Sequence, residues 1–367
     1  MNDNFFNNPG KMDLGSSPVQ PDKRAVTGDS NVRRAMHDGV RAAAEEPVTM
    51  DGGKEFLELL STHFLICNDK IIGNGEDCGY EAYTSEAGIM GAFDGCGGLG
   101  AKSCSAASDK TEAYMASRTV GAAVRDWFYS CVDNGCRWDV EALRSTIISK
   151  LEFCQKHAGD PGPKLRGSMV RPFPSTVAMI AAKVKNGRLL THHIWAGDSR
   201  TYVLDKNGLG QISRDDIKGE DAMSNLTKDG ALTNVISSDG RFVLHSAEFA
   251  PRHPCILFCA SDGCFGYVSS PMEFEMMILG TLEKAASVAQ WQHLLDAEIA
   301  GRAGDDQTIA VAAFGFRDFS ELKSYFMDRY LMICRIVQEF GNADPDGKQL
   351  LWESYRPGYY RYAANKE

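Results

Sequence analysis

Nowhere in this 367-residue chain does an apolar run approach the ~18 residues that a membrane-spanning helix needs, which argues against a helical membrane protein. The opening Met1-Asn2-Asp3-Asn4 lacks the basic-then-apolar order of a secretory signal, so a cytoplasmic protein is expected. Positive charge is in short supply. Thirty-nine Lys and Arg face 49 Asp and Glu, a net charge of −10, and with no basic stripe nucleic acid is not expected as a partner. Paired CxxC knuckles are missing although there are 11 cysteines. An odd number of thiols scattered through apolar segments such as Ile256-Leu257-Phe258-Cys259 argues against structural zinc and for reduced, buried cysteines. Internal repeats are absent as well.

Core material is ample, with 43% hydrophobic residues. Residues 1–52, rich in Asn, Asp, Gly, Pro and Ser, read as a flexible tail with one short helix near 32–44. Ala116, Val120, Ala123, Val124, Trp127, Phe128 and Cys131 recur at helical spacing, and so do Val140, Leu143, Ile147, Leu151 and Cys154. Apolar runs at 64–67, 87–93, 176–184, 189–196, 201–204, 256–260 and 308–314 read as strands. Amphipathic helices are expected at 285–300 and 319–340, the latter followed by an aromatic-rich stretch at 352–362. Helices in pairs between clusters of strands, without strict βαβ alternation, predict a layered α/β sandwich. The polar stretch 211–241 is long enough for a functional flap. The loop 159–174, with Lys164, Arg166 and Arg171, reads as exposed and solvated.

Four aspartates stand beside strand-like runs: Asp94 in Ala92-Phe93-Asp94-Gly95, Asp198 in Gly197-Asp198-Ser199-Arg200, Asp262 in Ala260-Ser261-Asp262-Gly263, and Asp305 in Gly304-Asp305-Asp306-Gln307. The acidic pair Glu76-Asp77 precedes them. One Asp-Gly is most often a plain turn, but the ordered set points to a single metal cluster. The glycines are expected to let a ligand approach the backbone. Carboxylate oxygens without recurring His or Cys suit Mg²⁺ or Mn²⁺. Two such ions ~4 Å apart, sharing Asp94 and completed by the Gly95 carbonyl, would hold a bridging water acidic enough to attack a phosphate ester. Spacing alone does not decide between Asp305 and Asp306.

The blocks Asn74-Gly75-Glu76-Asp77, Gly91-Ala92-Phe93-Asp94-Gly95-Cys96-Gly97-Gly98, Pro174-Ser175-Thr176-Val177-Ala178, Trp195-Ala196-Gly197-Asp198-Ser199-Arg200, Cys259-Ala260-Ser261-Asp262-Gly263-Cys264 and Gly304-Asp305-Asp306-Gln307-Thr308 together resemble the metal-dependent protein phosphatases. These are the type 2C serine/threonine family, and the bacterial members are the better likeness. The resemblance spans roughly residues 60–316. It implies an α+β fold, a four-layer α-β-β-α sandwich of two antiparallel sheets flanked by helix pairs. The catalytic domain would cover 53–316, with a helical extension at 317–367 packed on it. It also implies two Mn²⁺ or Mg²⁺ ions with Asp94, Asp262 and Asp305 as direct ligands and Gly95 binding through its carbonyl. Glu76 and Asp77 would hold metal-bound water, and Asp198 would join Asp262 around a third, weaker ion. The family also favours Asp305 over Asp306. The implied activity is hydrolysis of phosphoserine and phosphothreonine in protein substrates of a serine/threonine kinase, by a monomer. A partner-binding pseudophosphatase and a small-metabolite phosphatase are the alternatives.

Two positions depart from the family. The arginine that grips the substrate phosphate in many members falls here on Ile72, with Lys70 two residues earlier. Arg166 and Arg171 are candidate substitutes. Cys96 stands where eukaryotic members carry a histidine that protonates the leaving group, and a thiol is a poor acid for that step.

Overall fold

Strands with no polar side have to be covered on both faces. The computed structural model, which describes residues 55–104, 110–158, 171–218, 222–225 and 230–361, shows how. The tail expected over 1–52, Lys164 and Arg166 lie outside the described residues. The chain runs through β1 (Leu60–Asn68), β2 (Cys78–Tyr83) and β3 (Ala87–Phe93), then the long helices α1 (Glu112–Asp133) and α2 (Val140–His157). Next come β4 (Val177–Lys185), β5 (Arg188–Ala196), β6 (Arg200–Asp205), β7 (Gly208–Gln211), β8 (His245–Phe249) and β9 (Cys255–Ala260). Helices α3 (Pro271–Lys284) and α4 (Val288–Ala300) precede β10 (Gln307–Phe314), and α5 (Phe319–Asn342) and α6 (Pro345–Tyr359) follow it.

Two antiparallel sheets result, in the orders β1-β10-β9-β6-β7 and β8-β5-β4-β3-β2. Side chains alternate between their faces, as the period of two demands. Ile309, Val311 and Ala313 of β10 join the helix-side core with Trp291 and Phe326. Ala310, Ala312 and Phe314 meet Met90, Ala178 and Ile180 between the sheets. On the far side Ile89, Phe93, Val177 and Met179 pack under α1 and α2, against Val120, Val124, Ile147 and Leu151. The fold is therefore the α+β sandwich expected, helices outside and two sheets within.

Helix α3 was not expected. Met272, Phe274, Met277, Ile278, Leu279 and Leu282 are all buried, so it lacks the polar stripe that marks an amphipathic helix. Its start is nonetheless legible. Ser270 accepts from the Glu273 N–H at 3.1 Å and Pro271 occupies the first turn. The wholly buried Glu275 of α3 anchors the C-terminal hairpin. It receives Arg329 of α5 on both oxygens (2.5 and 2.8 Å) and the Tyr355 hydroxyl of α6 (2.6 Å).

His193 of β5 is buried between the sheets, with Nε2 3.0 Å from Thr191 Oγ1 and Nδ1 3.0 Å from Thr201 Oγ1. Thr191 already donates to the Phe249 carbonyl (2.7 Å), so Nε2 carries the hydrogen and Nδ1 accepts from Thr201. Burial pushes this imidazole down to about 3. Its unfolded value is ~6.5, so the unfolded chain takes up the proton first. Stability due to this group is whole above pH ~6.5 and is lost as pH falls toward 3. Urea titrations at pH 7 and pH 4 should show His193→Gln losing about 3 kcal/mol less than the wild type over that interval. Equal losses would show that His193 does not carry the acid sensitivity.

Candidate metal centre

Strand register gathers the acids. Cys78 pairs with Phe93, so Asp77 and Asp94 lie side by side at the ends of β2 and β3. Ala260 pairs with both Arg200 and Ile309, which brings Asp198, Asp262 and the Asp305-Asp306 pair out at that same pole. Glu76, Asp94, Asp198, Asp262, Asp305 and Asp306 line one pocket of about 380 Å³. Gly95 and Cys96 complete its floor. Among the described residues, no Lys or Arg lines it. The acids are spread around the wall, and among the described residues no three His, Cys, Asp or Glu side chains converge as a ready-made chelate.

Hydroxyls stitch the loops together. Thr176 donates its amide to the Asp94 carbonyl (2.8 Å), and its hydroxyl accepts the Asp94 N–H (3.3 Å) while bonding Ser199 Oγ (2.6 Å). That fixes the end of β3 against the turn bearing Asp198. Ser261 donates to Asp77 Oδ2 (2.7 Å) and accepts the Thr308 N–H (2.9 Å), tying Asp77, Asp262 and the start of β10. Thr111 caps α1 by accepting the Tyr114 N–H (3.0 Å) and donates to Glu76 Oε1. Sequence reasoning assigned none of these roles, although Thr176 and Ser261 lie inside the motif blocks.

Asp77 is not on the pocket wall. It is 2% exposed, behind Asp94, and shares a hydrogen bond with that carboxyl. Asp306 is occupied as well, accepting the Lys70 N–H and the Glu76 N–H at 2.7 Å each. Asp305 accepts one backbone hydrogen on Oδ1, from Asp306 at 2.9 Å, and lines the pocket. The glycines serve the loops themselves. A Cβ on Gly97 would collide with Glu76 Oε2, and one on Gly263 with the Asp306 carbonyl. Their absence of side chain lets the acidic loops close on one another.

Crowding like charges out of water raises their pKa values. Burial, then the charge of Asp262, pushes Asp77 up to about 7 and Asp198 up to about 8. Asp94 is held well above the usual carboxylate range by burial, then by Asp77 and Asp262. Glu76 is raised by burial and by Asp306 and Asp305. Burial and Asp94 push the Cys96 thiol up in the same way, so it keeps its proton at neutral pH.

Two basic side chains beside the Glu76 loop hold loops together. Arg118 donates to the Gly75 carbonyl (3.0 Å) and stacks on Tyr114 (3.5 Å to the ring centre), and Lys110 bonds Asn74 Oδ1 (2.8 Å). Ile72 is 96% exposed. Arg171 lies 3.5 Å from Asp239, away from the pocket wall.

No protein-family model matches the sequence, and no curated protein does. Solved structures do match. A bacterial serine phosphatase superposes with a TM-score of 0.50 at 17% identity, covering 70% of this chain and 98% of that one. The chain has the fold of that phosphatase. The serine/threonine phosphatase Stp1 from Staphylococcus aureus is similar over 71% of this chain and 98% of its own, at 18% identity and a TM-score of 0.49. The catalytic domain of the serine threonine protein phosphatase PstP, solved in complex with 2 manganese ions, is similar over 70% and 100%, at 19% identity and a TM-score of 0.45. At 17% identity the first of these likenesses speaks for the fold alone, and the chemistry has to come from the residues. Those residues fit hard divalent cations. Apart from the protonated Cys96 thiol, the side-chain donors are carboxyl oxygens, and among the described residues no cationic side chain on the wall offsets them.

No helix among the described residues is long and apolar enough to cross a membrane.

Proposed function

We propose that the chain is a metal-dependent phosphatase that hydrolyses phosphoserine and phosphothreonine in proteins. One observation carries this reading: a pocket walled by six carboxylates, with no Lys or Arg lining it among the described residues, at the end of a sandwich with a bacterial serine phosphatase's fold. Such a wall repels a dianionic phosphate monoester unless divalent cations intervene. Two Mn²⁺ or Mg²⁺ ions bound there would supply charge for the phosphoryl oxygens and an acidified water for in-line displacement of the seryl or threonyl oxygen.

Asp94, Asp262, Asp305 and the Gly95 carbonyl are the groups assigned to hold the ions, with Asp198 beside Asp262 for a third. Glu76, oriented by Thr111, faces the same space. Asp77 supports Asp94 from behind, and Asp306 holds the 69–76 loop in place. Cys96, with its thiol pushed up, is a weak donor for the proton the leaving oxygen needs. Leu99 and Leu232 form an apolar part of the lining, which suits a phosphorylated side chain presented by a polypeptide.

The test is turnover of a phosphothreonine peptide and of a sugar phosphate by the full chain, with Mn²⁺ and with EDTA. Peptide turnover that needs Mn²⁺ and exceeds sugar-phosphate turnover is the expected result. Turnover undiminished by EDTA would overturn the metal dependence. Preference for the sugar phosphate would move the activity to small metabolites, and no turnover of either with Mn²⁺ bound would indicate a binding scaffold.

A further inference from the structure

Arg200 follows Asp198 by two residues, yet its side chain turns away from the pocket and is 2% exposed. Asp215 takes its guanidinium in a fork, with Nε 3.0 Å from Oδ1 and Nη2 2.6 Å from Oδ2. Its plane lies over the Phe265 ring, 4.1 Å from the centre. Phe265 ends the short helix Asp262–Phe265, whose first residue is Asp262. Arg200 thus begins the strand that leads out of the Asp198 turn, while its guanidinium touches the helix that carries Asp262.

Elements outside the pocket hold it there. Nη1 reaches the Tyr202 hydroxyl (3.3 Å), which lies 3.5 Å from the Tyr359 hydroxyl of α6. Gln211 donates to Asp215 Oδ1 (2.8 Å) and accepts the Arg361 N–H on its carbonyl (3.1 Å). On the other flank of the turn, Asp216 accepts the Gly197 N–H (3.0 Å).

We infer that Arg200 is a positioning residue that sets the spacing between Asp198 and Asp262, and that the C-terminal hairpin acts on the metal centre through it. The inference rests on the metal reading proposed above. Lysine cannot take over this role, because it has neither the two-pronged fork for Asp215 nor a plane to stack on Phe265. Partners standing behind metal ligands govern affinity by orienting them, and their loss costs on the order of tenfold or more.

The experiment is Mn²⁺ titration by calorimetry of the full-length wild type and Arg200→Lys, with circular dichroism and melting of each metal-free protein. The expected result is Mn²⁺ affinity about tenfold weaker in Arg200→Lys, with an unchanged spectrum. A role confined to stability would lower the melting temperature and leave the affinity of the folded molecules alone. Affinity within twofold of wild type therefore overturns the inference. If Arg200→Lys does not fold, Phe265→Leu carries the test: it keeps the Asp215 pair and removes the ring, and about threefold weaker binding is expected, with unchanged affinity again overturning the inference. A wild type that binds no Mn²⁺ overturns the metal reading itself, and this inference with it.

Discussion

Asp94→Asn is expected to lower Mn²⁺-dependent phosphopeptide hydrolysis by on the order of 10³-fold, the scale of losing a preorganised electrostatic group, while making the metal-free protein more stable. The two effects have one cause. Asp94 sits among Asp77, Asp262 and Asp198, and burial together with their charges holds its carboxyl well above the usual range. Asparagine keeps the shape and stays neutral without taking up a proton, so the folded chain is spared a cost that the unfolded chain never had. Each kcal/mol relieved raises the melting temperature by roughly 2–4 °C. Asparagine also cannot give up a proton to become a carboxylate for a cation, so stabilisation by Mn²⁺ should shrink as activity disappears. Melts with EDTA and with Mn²⁺, beside a rate assay, read all three quantities. A variant that is inactive and also less stable without metal would show that Asp94 holds the fold rather than the ions.

Glu275→Leu should be the most damaging single change far from the pocket. It leaves the Arg329 guanidinium and the Tyr355 hydroxyl without their shared acceptor. Breaking one side of such a pair costs about 3–5 kcal/mol, roughly 10 °C in melting temperature. Replacing the whole group with Glu275→Leu, Arg329→Met and Tyr355→Phe should restore most of that, since no buried polar group then lacks a partner. Urea unfolding of the single and triple variants checks both parts. If the triple variant is no better than the single one, the cost lies in packing.

Much of the fold was legible because both sheets are covered on both faces. The runs at 87–93, 256–260 and 308–314 are apolar at nearly every position, and β3, β9 and β10 occupy them almost residue for residue. The edge strands β2, β7 and β8 escaped notice because they are short or only partly buried. Helix α3 escaped because it is apolar nearly all round, and within the helical extension expected at 317–367 α6 was not read as a helix of its own because Pro357 and Gly358 fall in its last turn. In the pocket, the aspartates could be read because each abuts a strand. What could not be read is which carboxylates are already engaged. Asp306 spends both oxygens on backbone amides and Asp77 lies beneath the floor, and such differences arise from contacts between residues more than 180 apart in sequence. The glycines were also read in part only: Gly97 and Gly263 leave room for the neighbouring loops.

The most direct test of the carboxylate pole as a metal centre is Mn²⁺ binding by the full chain at neutral pH, followed by calorimetry in the wild type and in Asp94→Asn. Two ions per wild-type chain, with binding at least tenfold weaker in the variant, is the predicted result. Wild-type protein that takes up no Mn²⁺, or a variant that binds it equally well, would contradict the account.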